Sequence, residues 1–382
     1  MSSSAQMNPA RDHRRTPGGL LPASIVLIAM LLLTLSVVVA AQGDPLALAR
    51  LGTRYLQGDP SGTQGYDGQF VYYIALEPRP DQVASRLDVP AYRYQRILLP
   101  LGARLLSFGN PVALPWVLGL LGILCQAAGT WLVAELLAGW GISRWYALVY
   151  GLFVGFGLAV RLDLPEPLAY ALVAAAILAG ERKHTYLSYL LYGLALFAKE
   201  VTLAFLLAAA LDLLAHRRWR DLTGLLLIAL LPYLVFQGWL WIEFGQPGLG
   251  SGGAMATPFE VIPFMGLWRI GSYSLVYLLA MLLVFGPAAI LPSIWGAWAA
   301  VKKIVAGEIN VVVLALLTNA MLVASLPFST FRETGGVLRI LCGLVLAVLL
   351  FSARYHQLRV LRYSWLWLVL NVFFVKNQPG LI

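Results

Sequence analysis

The stretch TYLSYLLYGLALFAKEVTLAFLLAAALDLLA, residues 185–215, decides how this chain folds. As one helix it would place Lys199 and Glu200 at the middle of an apolar rod, where each costs about 2.5–3.5 kcal/mol on insertion scales. It would also move every later loop to the opposite side of a bilayer, turning Arg217, Arg218 and Arg220 outward. Two short helices, 185–198 and 201–215, meeting at a polar break avoid both penalties. Irregular charged backbone at that depth is tolerated where it is buried in protein or faces a water-filled cavity. The segment Arg161-Leu162-Asp163-Leu164-Pro165-Glu166 repeats the pattern. Both breaks are therefore expected to line one outward-opening cavity.

The 382 residues are 60% hydrophobic and 12% charged, with mean hydropathy +0.77. Globular proteins carry about 25% charged residues. Apolar runs at 20–41, 111–137, 146–160, 167–180, 185–198, 201–215, 222–243, 272–300, 309–327, 337–352 and 364–375 predict an all-α polytopic membrane protein of about 11 transmembrane helices. The run 20–41 exceeds the h-region of about 7–15 residues in a signal peptide, so it is read as the first span. The organisation expected is a cytoplasmic tail over 1–19, a long extracytoplasmic loop over 42–110, a multi-helix domain over 111–376 and a short outer tail over 377–382. Cys125 and Cys342 lie far apart in apolar runs, as packing residues rather than a disulfide or metal pair.

Charge sets the orientation. With the N-terminus inside, the cytoplasmic segments hold 14 cations and 6 acids, a net +8, and the remaining 13 cations and 12 acids leave +1 of the total +9. That is the positive-inside pattern. The basicity is accounted for by topology, and no nucleic-acid partner is implied.

The loop 42–110 contains Tyr66-Asp67-Gly68-Gln69-Phe70 and Tyr92-Arg93-Tyr94-Gln95-Arg96-Ile97-Leu98-Leu99-Pro100. Amphipathic helices on the membrane surface are expected over 45–55 and 92–108, with Arg93 and Arg96 on one face. Arg104 and Asp88 are expected to be solvated. Gly248, Gly250, Gly252 and Gly253 mark 246–263 as a mobile outer connector. Every outer break carries charge: Asp67, Arg93 and Arg96; Arg161, Asp163 and Glu166; Lys199 and Glu200; Arg332, Glu333 and Arg339. One acid among cations beside lipid suits transfer of a group from a lipid-linked phosphate to a hydroxyl. The acid takes the acceptor's proton, and the cations hold the phosphate as charge develops.

These first-loop motifs, with broken helices around an outward cavity, resemble the GT-C superfamily of membrane glycosyltransferases, including bacterial protein O-mannosyltransferases, aminoarabinose transferases and GPI mannosyltransferases. The resemblance implies Asp67 as general base, with Tyr66 and Gln69 beside it as substrate contacts. It implies Asp163 and Glu166 as a second acidic cluster, and Lys199, Arg332 and Arg339 as donor-phosphate contacts. It also implies a polyprenyl-phosphate sugar donor, a glycan, lipid or protein acceptor, inversion at the anomeric carbon, and a bacterial inner membrane. Asp67 stands unpaired where many members carry two acids, so no bound metal is predicted, although some members use a divalent ion. The rival readings are a transporter or flippase for a lipid-linked or anionic substrate, which predicts matched halves, and a lipid-binding scaffold that would tolerate loss of Asp67.

Overall fold

The structure, a computed structural model, describes residues 18–374. Among the described residues the secondary structure is helical throughout, without strands. We number twelve helices: α1 (Leu20–Ala40), α2 (Gly68–Leu76), α3 (Leu98–Leu106), α4 (Leu114–Gly139), α5 (Val154–Arg161), α6 (Glu166–Glu181), α7 (Thr185–Ala198), α8 (Leu203–Ala215), α9 (Trp219–Phe244), α10 (Leu275–Val305), α11 (Val311–Ala324) and α12 (Thr334–Arg354). Five of them, α1, α4, α9, α10 and α12, are long and apolar enough to cross a membrane, and α7 and α11 are shorter apolar helices. The all-α architecture is thus as expected, with five helices of spanning length joined by shorter ones among the described residues.

The expected span 146–160 is a broken pair. A helix over Ala147–Gly151 ends, Phe153 is extended, and α5 begins at Val154. Polar side chains from neighbouring helices serve the freed carbonyls. Gln126 of α4 donates to Tyr150 and Gly151, and Asn371 donates to Leu152. The expected span 364–375 is instead a helix over Leu358–Ser364 followed by a 3-10 stretch over Trp365–Phe374. The expected tail 377–382 and most of the tail 1–19 lie outside the described residues.

The 185–215 stretch breaks where its charges predict. After α7, Lys199 is extended, a single turn over Glu200–Thr202 follows, and α8 starts at Leu203. α6 packs on α7 and α4, α1 on α4, and α8 and the end of α10 on α11. α12 lies at the centre, with 94% of its apolar window buried. A helix apolar all round belongs inside, and this one brings Arg339 into the interior near its first turn. Gly155 allows α5 to lie against it, since a Cβ there would fall 2.2 Å from the Leu338 carbonyl oxygen.

In the outer loop the two long amphipathic helices resolve into pieces. Leu46–Ala49 and Thr53–Leu56 flank a left-handed Arg50, and Pro90–Tyr94 is separated from α3 by the turn carrying Arg96. α2 and α3 pack together and on α4, burying Phe70, Tyr73, Ile74, Leu99 and Ala103.

Candidate functional site

Asp67 immediately precedes α2. Its neighbour Gly68 is pressed on the 161–166 break so closely that a Cβ would lie 2.1 Å from the Leu162 carbonyl oxygen. That contact seats Asp67 over the start of α12. Its Oδ1 forms an ion pair with Arg93 Nη1 at 3.0 Å, and its Oδ2 accepts from Arg339 Nη1 at 3.0 Å. Burial would raise the Asp67 pKa, but Arg93 and Arg339, with Arg96 farther off, overcome it and hold the carboxyl well below the usual carboxylate range. The Asp67 side chain keeps 25% of its surface accessible, against 9% for Arg93 and 11% for Arg339. The acid is therefore the exposed member of the bracket.

The bracket continues on both sides. Arg93 also grips Asp88 through two bonds of 2.7 and 2.8 Å and lies over the ring of Phe70, 4.4 Å from its centre. On the other side Arg339 Nη1 stands 3.9 Å from Glu166 Oε1, which pairs with Lys199. Glu166 opens α6, where a carboxylate is favoured by the helix dipole, and Lys199 comes from the α7–α8 break. Arg96 forms a two-point pair with Glu200 at 2.5 and 2.8 Å and donates to the Tyr92 hydroxyl at 2.6 Å. Tyr66 lies over the Arg339 guanidinium at 5.3 Å and donates to Glu333 at 2.6 Å. Burial pushes the Tyr66 phenol far above its usual value, which keeps it a donor.

Nine of the residues expected from sequence thus converge: Tyr66, Asp67, Arg93, Arg96, Glu166, Lys199, Glu200, Glu333 and Arg339. Four do not. Gln69 is buried, accepting from Gly52 N–H and donating to the Gln64 carbonyl, so it holds the loop rather than a substrate. Arg161 forms no ion pair among the described residues. Arg332 is exposed, its Nη2 3.9 Å from the Met255 sulfur and outside the network. Asp163 has a left-handed backbone (φ 52°) and forms no ion pair among the described residues. It is 3% exposed, and neither carboxylate oxygen has a hydrogen-bond partner. It sits near Gly119 of α4 and Thr34 of α1.

Sequence reasoning missed Asp88 and Tyr92. Asp88, expected to be solvated, is a two-point partner of Arg93, and Arg104 donates to the Ala75 and Leu76 carbonyls. An acid two residues before Pro90 at a helix start was the available signal. Loop 246–263 is likewise more than a mobile connector. Leu249 N–H donates to Gln237, Ala254 N–H to Asp88, and Thr257 and Ser329 bond reciprocally, which straps the loop beside Arg93.

No family model, curated protein or solved structure matches the chain. The site must be read from its own chemistry. The divalent ion used by some members of the resembled superfamily has no fitting donor set. Glu166 is engaged by Lys199 and Arg339, Asp163 lies against Gly119, and no group of three or more His, Cys, Asp or Glu side chains suited to a metal occurs among the described residues.

Proposed function

We propose that this protein is an integral-membrane glycosyltransferase that moves a sugar from a polyprenyl-phosphate donor to a hydroxyl acceptor, with Asp67 as general base. The observation that carries the reading is the Asp67 bracket: a partly exposed carboxylate between two buried guanidiniums, in a bundle with long apolar helices. By the positive-inside rule the bracket faces the extracytoplasmic side and the net-basic end faces the cytoplasm.

In the proposed reaction the acceptor O–H gives its proton to Asp67 while its oxygen bonds to the anomeric carbon. The bond from that carbon to the phosphate oxygen breaks on the opposite face, and the phosphate leaves with the electron pair. Arg93 and Arg339 are placed to hold the charge it gains, as planar two-point donors suited to phosphate. The same arginines make unliganded Asp67 a weak base. A phosphate that draws either of them away from the carboxylate raises its basicity when donor is bound. The donor's tail would remain in lipid, which accounts for a membrane setting.

Purified protein reconstituted with a polyprenyl-phosphate sugar tests this. Asp67→Asn is expected to lower transfer about 10²–10⁴-fold, while donor retention persists because both arginines remain. Transfer at the wild-type rate by a folded Asp67→Asn protein would refute the assignment. Movement of the intact lipid across the bilayer without transfer would instead establish the flippase reading.

A further inference from the structure

The end of the bundle opposite Asp67 is built on a different charge plan. Each of its described acids is matched: Glu135 with Arg144 and Arg182, Glu181 with Arg354, Asp212 with His216, Asp221 with Arg218, and Glu308 with Lys303. Six exposed cations are left over, Lys183, Arg217, Arg220, Lys302, Arg359 and Arg362, with no ion pair among the described residues. In the Asp67 cluster the cations Arg93, Arg96, Lys199 and Arg339 are buried and paired with carboxylates. Here they are in excess and point to solvent.

These cations belong to one end. The Glu181–Arg354 pair joins the ends of α6 and α12, and Glu135 joins the end of α4 to those of its neighbours. Asn310 donates to Tyr355, and Lys303 lies 4.0 Å from the Tyr355 ring centre, which ties the α10–α11 turn to the same place. Arg359 and Arg362 stand three residues apart on the helix that follows, whose other side buries Leu361 and Ser364. Exposed aromatic residues are interleaved with the cations: Trp219 beside Arg220, Tyr363 beside Arg362, and Trp298 with the Lys302 ammonium 5.3 Å from its ring centre. Tryptophan and tyrosine at the ends of apolar helices sit at headgroup depth. A soluble polyanion needs no such ring; a lipid headgroup meets both sets of side chains at once.

We propose that this face is a binding surface for the phosphate headgroups of anionic phospholipids in the protein's own bilayer, separate from the Asp67 site. Each free cation at a membrane surface contributes enough to change anionic-lipid partition about fivefold. The effect is screened by salt within a distance of about 10 Å at 0.1 M.

The test is native mass spectrometry of protein released from vesicles holding equal phosphatidylglycerol and phosphatidylcholine. The wild type is expected to retain phosphatidylglycerol in excess. The variant Arg217→Gln/Arg220→Gln/Arg359→Gln/Arg362→Gln is expected to lose that excess by at least about a hundredfold in partition, with its melting temperature in phosphatidylcholine unchanged. Removing exposed cations from the other end, Arg54→Gln/Arg86→Gln, should leave the preference intact. A wild type with no preference, a quadruple variant that keeps it, or an equal loss in the control variant overturns the proposal. So does binding of a soluble RNA homopolymer through the same four arginines without lipid preference.

Discussion

Asp163 and Glu166 are three residues apart and both buried, yet the structure treats them oppositely. Glu166 meets Lys199 and stands 3.9 Å from Arg339, whereas Asp163 has no partner on either oxygen. Their pairing as one acidic cluster was a natural reading of Asp163-Leu164-Pro165-Glu166. Asp163 also has a left-handed backbone, for which the sequence carries no glycine or asparagine signal. Asp67 was legible because a lone acid between Tyr66 and Gly68 stands out in an apolar chain, and Arg339 because charge inside an apolar helix is costly. The contrast yields a paired prediction. Glu166→Gln removes the charge that compensates buried Lys199, a loss that commonly costs about 3–5 kcal/mol, so its melting temperature should fall by several degrees. Asp163→Asn keeps the shape and removes a carboxylate with no partner, so stability should hold or rise. Thermal denaturation in one detergent decides between them. Equal destabilisation by both changes would mean that Asp163 has a compensating partner after all.

At the level of helices, breaks marked by charge were readable and breaks in apolar sequence were not. Lys199-Glu200 announces the end of α7 because an uninterrupted helix would carry both charges through the bilayer. Nothing comparable marks Leu152-Phe153, where no charge or proline interrupts the run. The signal lay elsewhere, in Gln126 and Asn371, polar residues inside apolar stretches whose amides satisfy the carbonyls that the break exposes. Backbone groups in a membrane interior need such partners, so a solitary amide in an apolar helix marks a break in a neighbour. Gln126→Leu keeps the side-chain volume close and removes the donors to Tyr150 and Gly151. Each orphaned carbonyl costs about 1–3 kcal/mol, so denaturant unfolding of the variant should be clearly easier than that of the wild type. A stability unchanged from wild type would show that these two bonds do not hold the break.

For the molecule as a whole, the ion pairs bear on the topology that charge counting predicts. The residues that counting assigns to one side pair only with residues of that same side, throughout the described chain. Two charged ends separated by apolar helices were therefore legible. The continuity of each helix was not, because a hydropathy run does not reveal where its helix breaks. The orientation proposed from the excess of cations over acids at one end can be read chemically. The native cysteines, Cys125 in α4 and Cys342 in α12, are partly and fully buried, so they give little background to a membrane-impermeant thiol reagent. Ser61→Cys in the outer loop and Arg220→Cys at the start of α9 are both at exposed positions on opposite ends. In intact cells Ser61→Cys should label at once, and Arg220→Cys only after the membrane is permeabilised. The reverse pattern would invert the orientation and put Asp67 in the cytoplasm, where a donor presented from outside could not reach it. Labelling of both from one side would remove the basis for separating a catalytic end from a lipid-binding end.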